Sequence, residues 1–215
     1  MVDSKVVRRS ILLNFDHTEP NSCPSELDLA AAALIRTFKD GGKLLLCGNG
    51  GSSADCDHIA AELMKGFLSR RPLPEPARKR MSELYGEHGL NMANCLQGAL
   101  PAISLSSNSA LLTAIGNDIS GHYIFAQQVY GYGRANDSLL AISTSGESIN
   151  VLMALQVARA LEITTIGFTG SRPSTMDSYC DILVRAPHEA TRDVQECHIK
   201  MYHTLCEHVE RAIFG

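Results

Sequence analysis

The sequence predicts an α/β fold: a five-stranded parallel, doubly wound sheet flanked by helices, with N-terminal helices and a long C-terminal helix. Three observations carry this. Short apolar runs recur at about Lys43–Cys47, Ala102–Leu105, Ser138–Ser143, Thr164–Thr169 and Asp181–Arg185, without the alternation of a half-exposed sheet. Turn residues or a helical pattern follow each run, which leaves room for the crossovers that parallel strands need. Two of the runs break into turns of small residues that lead straight into helices.

In chain order, helices are expected over about Asp3–Phe15 and Ser25–Lys39. Ser25 and Asp28 have the spacing of a capping box, and Gly41-Gly42 stops the second helix. The first strand ends in Gly48-Asn49-Gly50-Gly51-Ser52-Ser53 and a helix begins there. The stretch Arg70–Gly98 is the least regular: Pro72, Pro74 and Pro76 open it and many charges follow. It reads as an excursion at about 70–98 containing a helix near Ala77–Tyr85. After the fifth strand a helix runs from about Thr191 to Ile213. The chain, 1–215, reads as one domain with an N-terminal helical extension of about 1–40.

Composition excludes several classes. A 45% hydrophobic content in 215 residues supplies an ample core. The net charge of −4 and the lack of a Lys/Arg stripe make nucleic acid an unexpected partner, and Arg78-Lys79-Arg80 reads as a solvated helix face. The cysteines number 7 and form no C-x-x-C pair, which suits reduced thiols in a cytoplasm. Ile11-Leu12-Leu13 is too short for the core of a signal peptide, and no run reaches membrane-spanning length, so a cytoplasmic location without a membrane partner is expected.

The first turn carries chemistry as well as geometry. Backbone N–H groups at a helix start lack intrahelical partners, and glycines let the backbone close on an anion such as phosphate. The spacing is neither G-x-G-x-x-G nor a Walker A loop, so no nucleotide or redox cofactor is expected. A tight strand-to-helix turn alone would also use these glycines. A second turn of the same type, Ser143-Thr144-Ser145-Gly146-Glu147-Ser148, strengthens the phosphate reading, because one hydroxyl suffices to cap a helix and four crowd this turn. It lacks the first glycine of G-x-S-x-G, which argues against a serine hydrolase. In open α/β sheets both turns would converge at the switch in strand order. Beyond the first turn, His58 and Glu62 stand at i and i+4 on one helix face. On the C-terminal helix Gln195 and His203 lie about 80° apart around the axis and could flank one site. His198 and His208 read as packed or solvated side chains.

These residues, taken in order with Asn117-Asp118 and Gln195-Glu196, resemble the sugar isomerase (SIS) domain of phosphoheptose isomerases. The resemblance spans about Phe38 to the C-terminus, interrupted by the proline-led excursion. It implies a sugar phosphate held by Asn49, Gly50, Gly51, Ser52, Asn117, Asp118, Ser143, Thr144, Ser145 and Ser148, with Gln195 beside the acid/base pair Glu62 and His203. It implies conversion of sedoheptulose 7-phosphate to an aldoheptose 7-phosphate by homotetramers that share active sites between subunits. Some members carry zinc, which the resemblance places at His58, Glu62, Gln195 and His203.

Aldose–ketose isomerisation moves a proton between C1 and C2 through an enediol. A carboxylate for the carbon-bound proton and a second acid/base for the oxygens meet that need. Two departures stand out: Met64-Lys65-Gly66 follows Glu62-Leu63 where the family has Gly-Arg, and the 70–98 excursion is longer than the expected connection. The competing classes are a non-catalytic sugar-phosphate-binding or replication-initiator-associated regulator, and another phosphosugar enzyme such as an aminosugar isomerase or a sugar-ether lyase.

Overall fold

The computed structural model describes residues 25–215, so the helix expected over 3–15 lies outside the described residues. Five parallel strands form one sheet in the order β2-β1-β3-β4-β5: β1 Leu44–Gly48, β2 Ala102–Ser104, β3 Ser138–Ile142, β4 Thr164–Thr169 and β5 Ile182–Arg185. The helices are α1 Glu26–Lys39, α2 Gly51–Met64, α3 Glu75–Cys95, α4 Ser109–Asp118, α5 Ala126–Tyr132, α6 Ile149–Ala160 and α7 Thr191–Phe214. Each strand end, both ends of α1 and the last residue of α7 lie within one residue of expectation or match it.

Burial explains why the apolar runs became central strands. All five residues of β1 and of β3 are buried. Leu44, Leu46, Leu140 and Ile142 face a core shared with Leu34 of α1, Ile59 of α2 and Leu205 of α7. The alternate residues Leu45, Cys47, Leu139 and Ala141 face a second core with Val129 of α5 and Leu155 of α6. A strand covered on both faces has no solvent side to be polar. The capping box of α1 is present: Ser25 Oγ accepts from the Asp28 amide and the Asp28 carboxylate accepts from the Ser25 amide. The Gly42 amide then closes the helix on the Thr37 carbonyl (2.8 Å).

The excursion contains more helix than its sequence suggests. α3 continues past Tyr85 to Cys95 and reverses at Gly86, whose φ of 58° lies in the left-handed region that favours glycine. Its second half therefore folds back on the first, with Gly89 against the Met81 carbonyl and the Tyr85 side chain. The base of this arm is tied by the Pro72–Gln97 antiparallel bridge and by the Gly98 amide donating to the Arg71 carbonyl (2.7 Å). No described helix or strand packs along the arm to any length. Among the described residues no helix is long and apolar enough to cross a membrane, and the six described cysteines are free.

Candidate active site

β1 and β3 are neighbours in register, Gly48 beside Ile142, and β2 lies on the other side of β1. The strand order therefore reverses between β1 and β3, and the two small-residue turns leave the sheet side by side at that point. Asn49 and Asn150 exchange side-chain amide hydrogen bonds of 2.8 and 2.9 Å across the gap. Gly50 precedes α2, Ser52 is buried, and no side chain caps the helix start.

In the second turn, Ser148 occupies the N-cap position of α6 without capping it. Its hydroxyl instead meets Ser143 Oγ at 3.1 Å, and Ser143 Oγ also accepts from the Gly146 amide. Ser145 Oγ accepts from the Glu147 amide at 3.2 Å. The Glu147 carboxylate is drawn onto Thr175, accepting from its amide (2.7 Å) and hydroxyl (2.6 Å). Two helix starts without side-chain caps and four clustered hydroxyls make an environment suited to an anion.

The residues expected to act as acid and base stand further along α2 and α7. His58 Nε2 lies 3.2 Å from Glu62 Oε1, and His58 Nδ1 lies 2.9 Å from the Tyr202 hydroxyl. Burial, with Asp55, Cys206 and Glu62 nearby, pushes the Tyr202 phenol up to about 12, so it stays protonated and can donate to Nδ1. A carboxylate only accepts, so neutral His58 carries its proton on Nε2 in this arrangement. The His203 ring completes the cluster edge-on to His58 (centroids 5.1 Å apart) and to Tyr202 (4.9 Å), with Phe67 on its other side (5.6 Å). The Glu62 side chain is 14% exposed, and its second oxygen accepts from Lys65 Nζ at 2.8 Å. Burial pushes the Glu62 carboxyl upward, but the Lys65 ammonium and then His58 outweigh it and hold the group below its ordinary value.

Gln195 reaches the other end of the site, where its side-chain amide lies over Gly51 so closely that a Cβ there would overlap it. Asn117 and Asp118 are not brought in: they sit exposed at the far end of α4, bonded to each other at 2.8 Å, and neither bonds to the two turns among the described residues. His198 is a buried, packed histidine beside the Thr169 carbonyl, and burial lowers its pKa. His208 lies beside Asp28, 3.8 Å away, outside the cluster.

Lys65, Tyr202 and Asp55 belong to the cluster but were not singled out as functional from the sequence. Lys65 lay within the noted Met64-Lys65-Gly66 departure, whereas Tyr202 and Asp55 carry no motif. Asp55 is buried one turn before His58, and burial pushes its carboxyl up against the opposing influence of His58 and Tyr202.

The donors His58 and Glu62 suit zinc. Their 3.2 Å separation is close to the edge of a ligand tetrahedron, about 3.3 Å for ligand distances of about 2.0–2.1 Å. With zinc on Nε2 the His58 proton would sit on Nδ1 and donate to the Tyr202 hydroxyl, the outer hydrogen bond that commonly fixes a metal-binding imidazole. Gln195 is drawn toward Gly51 instead, and among the described residues no three His, Cys, Asp or Glu side chains are grouped to hold a metal ion.

Comparison with known proteins agrees with this fold. A family model described as the SIS domain matches residues 21–83 and 79–170. The phosphoheptose isomerase of Clostridium acetobutylicum is 41% identical over 182 residues, covering 85% of this chain and 80% of its own. That of Roseiflexus sp. is 40% identical over 184 residues, covering 86% and 80%. The solved structure of a phosphoheptose isomerase from Francisella tularensis superposes with a TM-score of 0.72 at 29% identity, over 97% of this chain and 93% of that one. A parallel sheet with paired small-residue turns at its switch point, joined to these matches across most of the chain, makes this protein a member of the SIS-domain phosphoheptose isomerase family.

Proposed function

We propose that this phosphosugar isomerase interconverts sedoheptulose 7-phosphate and an aldoheptose 7-phosphate through an enediol, with Glu62 and His203 as its acid/base pair. The supporting observation is the layout of α2, with an anion-binding turn at its start and the His58–Glu62 contact at its other end, about three turns on. The substrate has the same polarity, since several carbons separate its C7 phosphate from the reacting C1 and C2. The similarity to phosphoheptose isomerases supports the heptose over shorter sugars.

In this reading Asn49, Gly50, Gly51 and Ser52 hold the phosphate with Ser143, Thr144, Ser145 and Ser148. Anchoring it lowers the barrier by on the order of several kcal/mol, through positioning of C1 and C2. The Glu62 carboxylate takes the proton from C1 of the ketose and returns it to C2. His203 donates a proton to the C2 oxygen and accepts one from the C1 hydroxyl, so the aldehyde forms at C1. No electrons enter or leave, because substrate and product are isomers. The ketose ring must open first, and His203 can move the ring-oxygen proton. His58, Glu62, Gln195 and His203 would hold zinc, which when bound would polarise the sugar oxygens.

The assembly we propose is a homo-oligomer, a tetramer with shared sites. Leu84, Tyr85, Leu90, Met92 and Leu96 of the arm are exposed, an apolar surface suited to a second copy of the chain. A second copy would also be needed to bring Asn117 and Asp118 to a phosphate. Light scattering on the purified protein gives the subunit number, and a monomer at micromolar concentration overturns this part.

The test of the activity is NMR in D2O with C5 to C7 ketose phosphates. Aldose formation with deuterium incorporated at C2, best with the heptulose, is expected. Tight binding of a sugar phosphate without exchange would move the protein to the regulatory class.

A further inference from the structure

We infer that Arg71 and Glu210 form a brace that sets the relative position of Glu62 and His203, which makes both of them positioning residues for the isomerisation proposed above. The inference rests on that reading for its consequence and on the geometry for its existence.

The Arg71 side chain is 0% exposed. Its guanidinium donates in three directions: to Glu210 Oε1 (2.7 Å), to the Leu63 carbonyl (2.7 Å) and to the Glu62 carbonyl (3.1 Å). The last two are terminal carbonyls of α2, which lack partners within their helix and favour a cation. The backbone of the proposed proton carrier is thus held directly. Phe214 covers the guanidinium, with its ring centroid 4.8 Å from Cζ.

Glu210 holds the other half. It follows His203 on α7 by about two turns and lies on nearly the same face. Besides Arg71 its carboxylate accepts from the amides of Phe67 (2.8 Å), Leu68 (2.9 Å) and Ser69 (3.1 Å). Phe67, fixed in this way, lays its ring against His203. One carboxylate therefore references Glu62 through Arg71 and His203 through Phe67, and it also orders the turn that follows Lys65.

Stability alone is a weak account of such a pair. Replacing a buried ion pair with apolar side chains of similar volume is often neutral or stabilising. An arginine also cannot be exchanged for lysine here without losing hydrogen bonds, because an ammonium lacks the planar fork that reaches Glu210 and two carbonyls together.

The test compares the double variant Arg71→Met/Glu210→Leu, and separately Arg71→Lys, with the unmodified protein. The double variant is expected to fold cooperatively, yet to lose kcat for sedoheptulose 7-phosphate by about 10- to 100-fold, with KM changed far less. The phosphate turns lie at the opposite end of α2 and at the start of α6, away from the brace, hence the split. Arg71→Lys should fall between the two. Amide exchange should accelerate at 62–69 and stay unchanged in β1, a readout that needs no activity. Unchanged kcat in the folded double variant, or kcat falling only with the fraction unfolded, overturns the brace. If the unmodified protein isomerises no sugar phosphate, the isomerase reading fails on its own. Exchange at 62–69 then decides the brace: acceleration supports it and unchanged rates overturn it.

Discussion

Lys65 places its ammonium 2.8 Å from Glu62 Oε2, on the opposite side of the carboxylate from His58. α2 ends at Met64, and Lys65, the residue that caps it, folds back by i−3 onto the carboxylate.

The pH dependence of turnover follows from that contact. Burial raises the Glu62 carboxyl, but Lys65 and His58 more than reverse it, so Glu62 remains ionised below its ordinary value of 4.5. The acid limb of kcat should therefore lie below that pH, and Lys65→Met should move it upward. kcat is the quantity to measure, because the substrate phosphate titrates near pH 6 and enters kcat/KM. Profiles with and without a chelator separate Lys65 from a bound metal. An acid limb that does not move in Lys65→Met removes the lysine from control of the site.

Replacing Glu62 with Gln keeps the side-chain shape and removes the proton acceptor. Turnover should fall by about 10²- to 10⁴-fold or more, while calorimetry still detects sedoheptulose 7-phosphate at the two turns. The loss of the Lys65 contact adds little instability, since that ammonium is 56% exposed and solvent can replace its partner. Turnover retained in this variant would assign the carbon-bound proton to another group.

The parts of the fold legible in the sequence were those fixed by local rules. Leu44–Leu46 and Leu139–Ile142 read as buried strands, and Ser25 with Asp28 announced a helix start. The second half of α3 was not legible, because Glu87–Cys95 has no sustained apolar period, and its helix restarts after Gly86 and packs at Gly89 against Met81. In the site, the glycine and hydroxyl turns were visible because their residue types are unusual for plain connections. Tyr202 and Arg71 were not, since an isolated aromatic or basic residue acquires meaning only when α7 and the 66–71 segment fold onto α2. Asn117 and Asp118 show the converse: a recognisable pair that one chain does not carry to the turns.

Metal content is open to direct measurement. His58 and Glu62 stand at the spacing of two zinc ligands, so the purified protein should contain zinc, and His58→Ala should lose it. Elemental analysis of both proteins checks this. An unmodified protein without zinc after purification free of chelators discards the metal and leaves the Glu62–His203 mechanism to stand alone.

Acid stability should report on Glu210. Burial acts to raise its carboxyl, yet the Phe67 and Leu68 amides and the Arg71 guanidinium bind the ionised form and bring it below 4.5 in the folded protein. A carboxylate depressed on folding contributes its full stabilisation above its unfolded value and loses it as the pH falls through its folded value. The melting temperature should thus decline as pH drops below about 4.5. Glu210→Gln, whose side chain does not titrate, should begin less stable at neutral pH and show a shallower decline over the same window. Equal slopes for the two proteins would mean that other carboxylates govern acid unfolding and that Glu210 is not held ionised by the amides it faces.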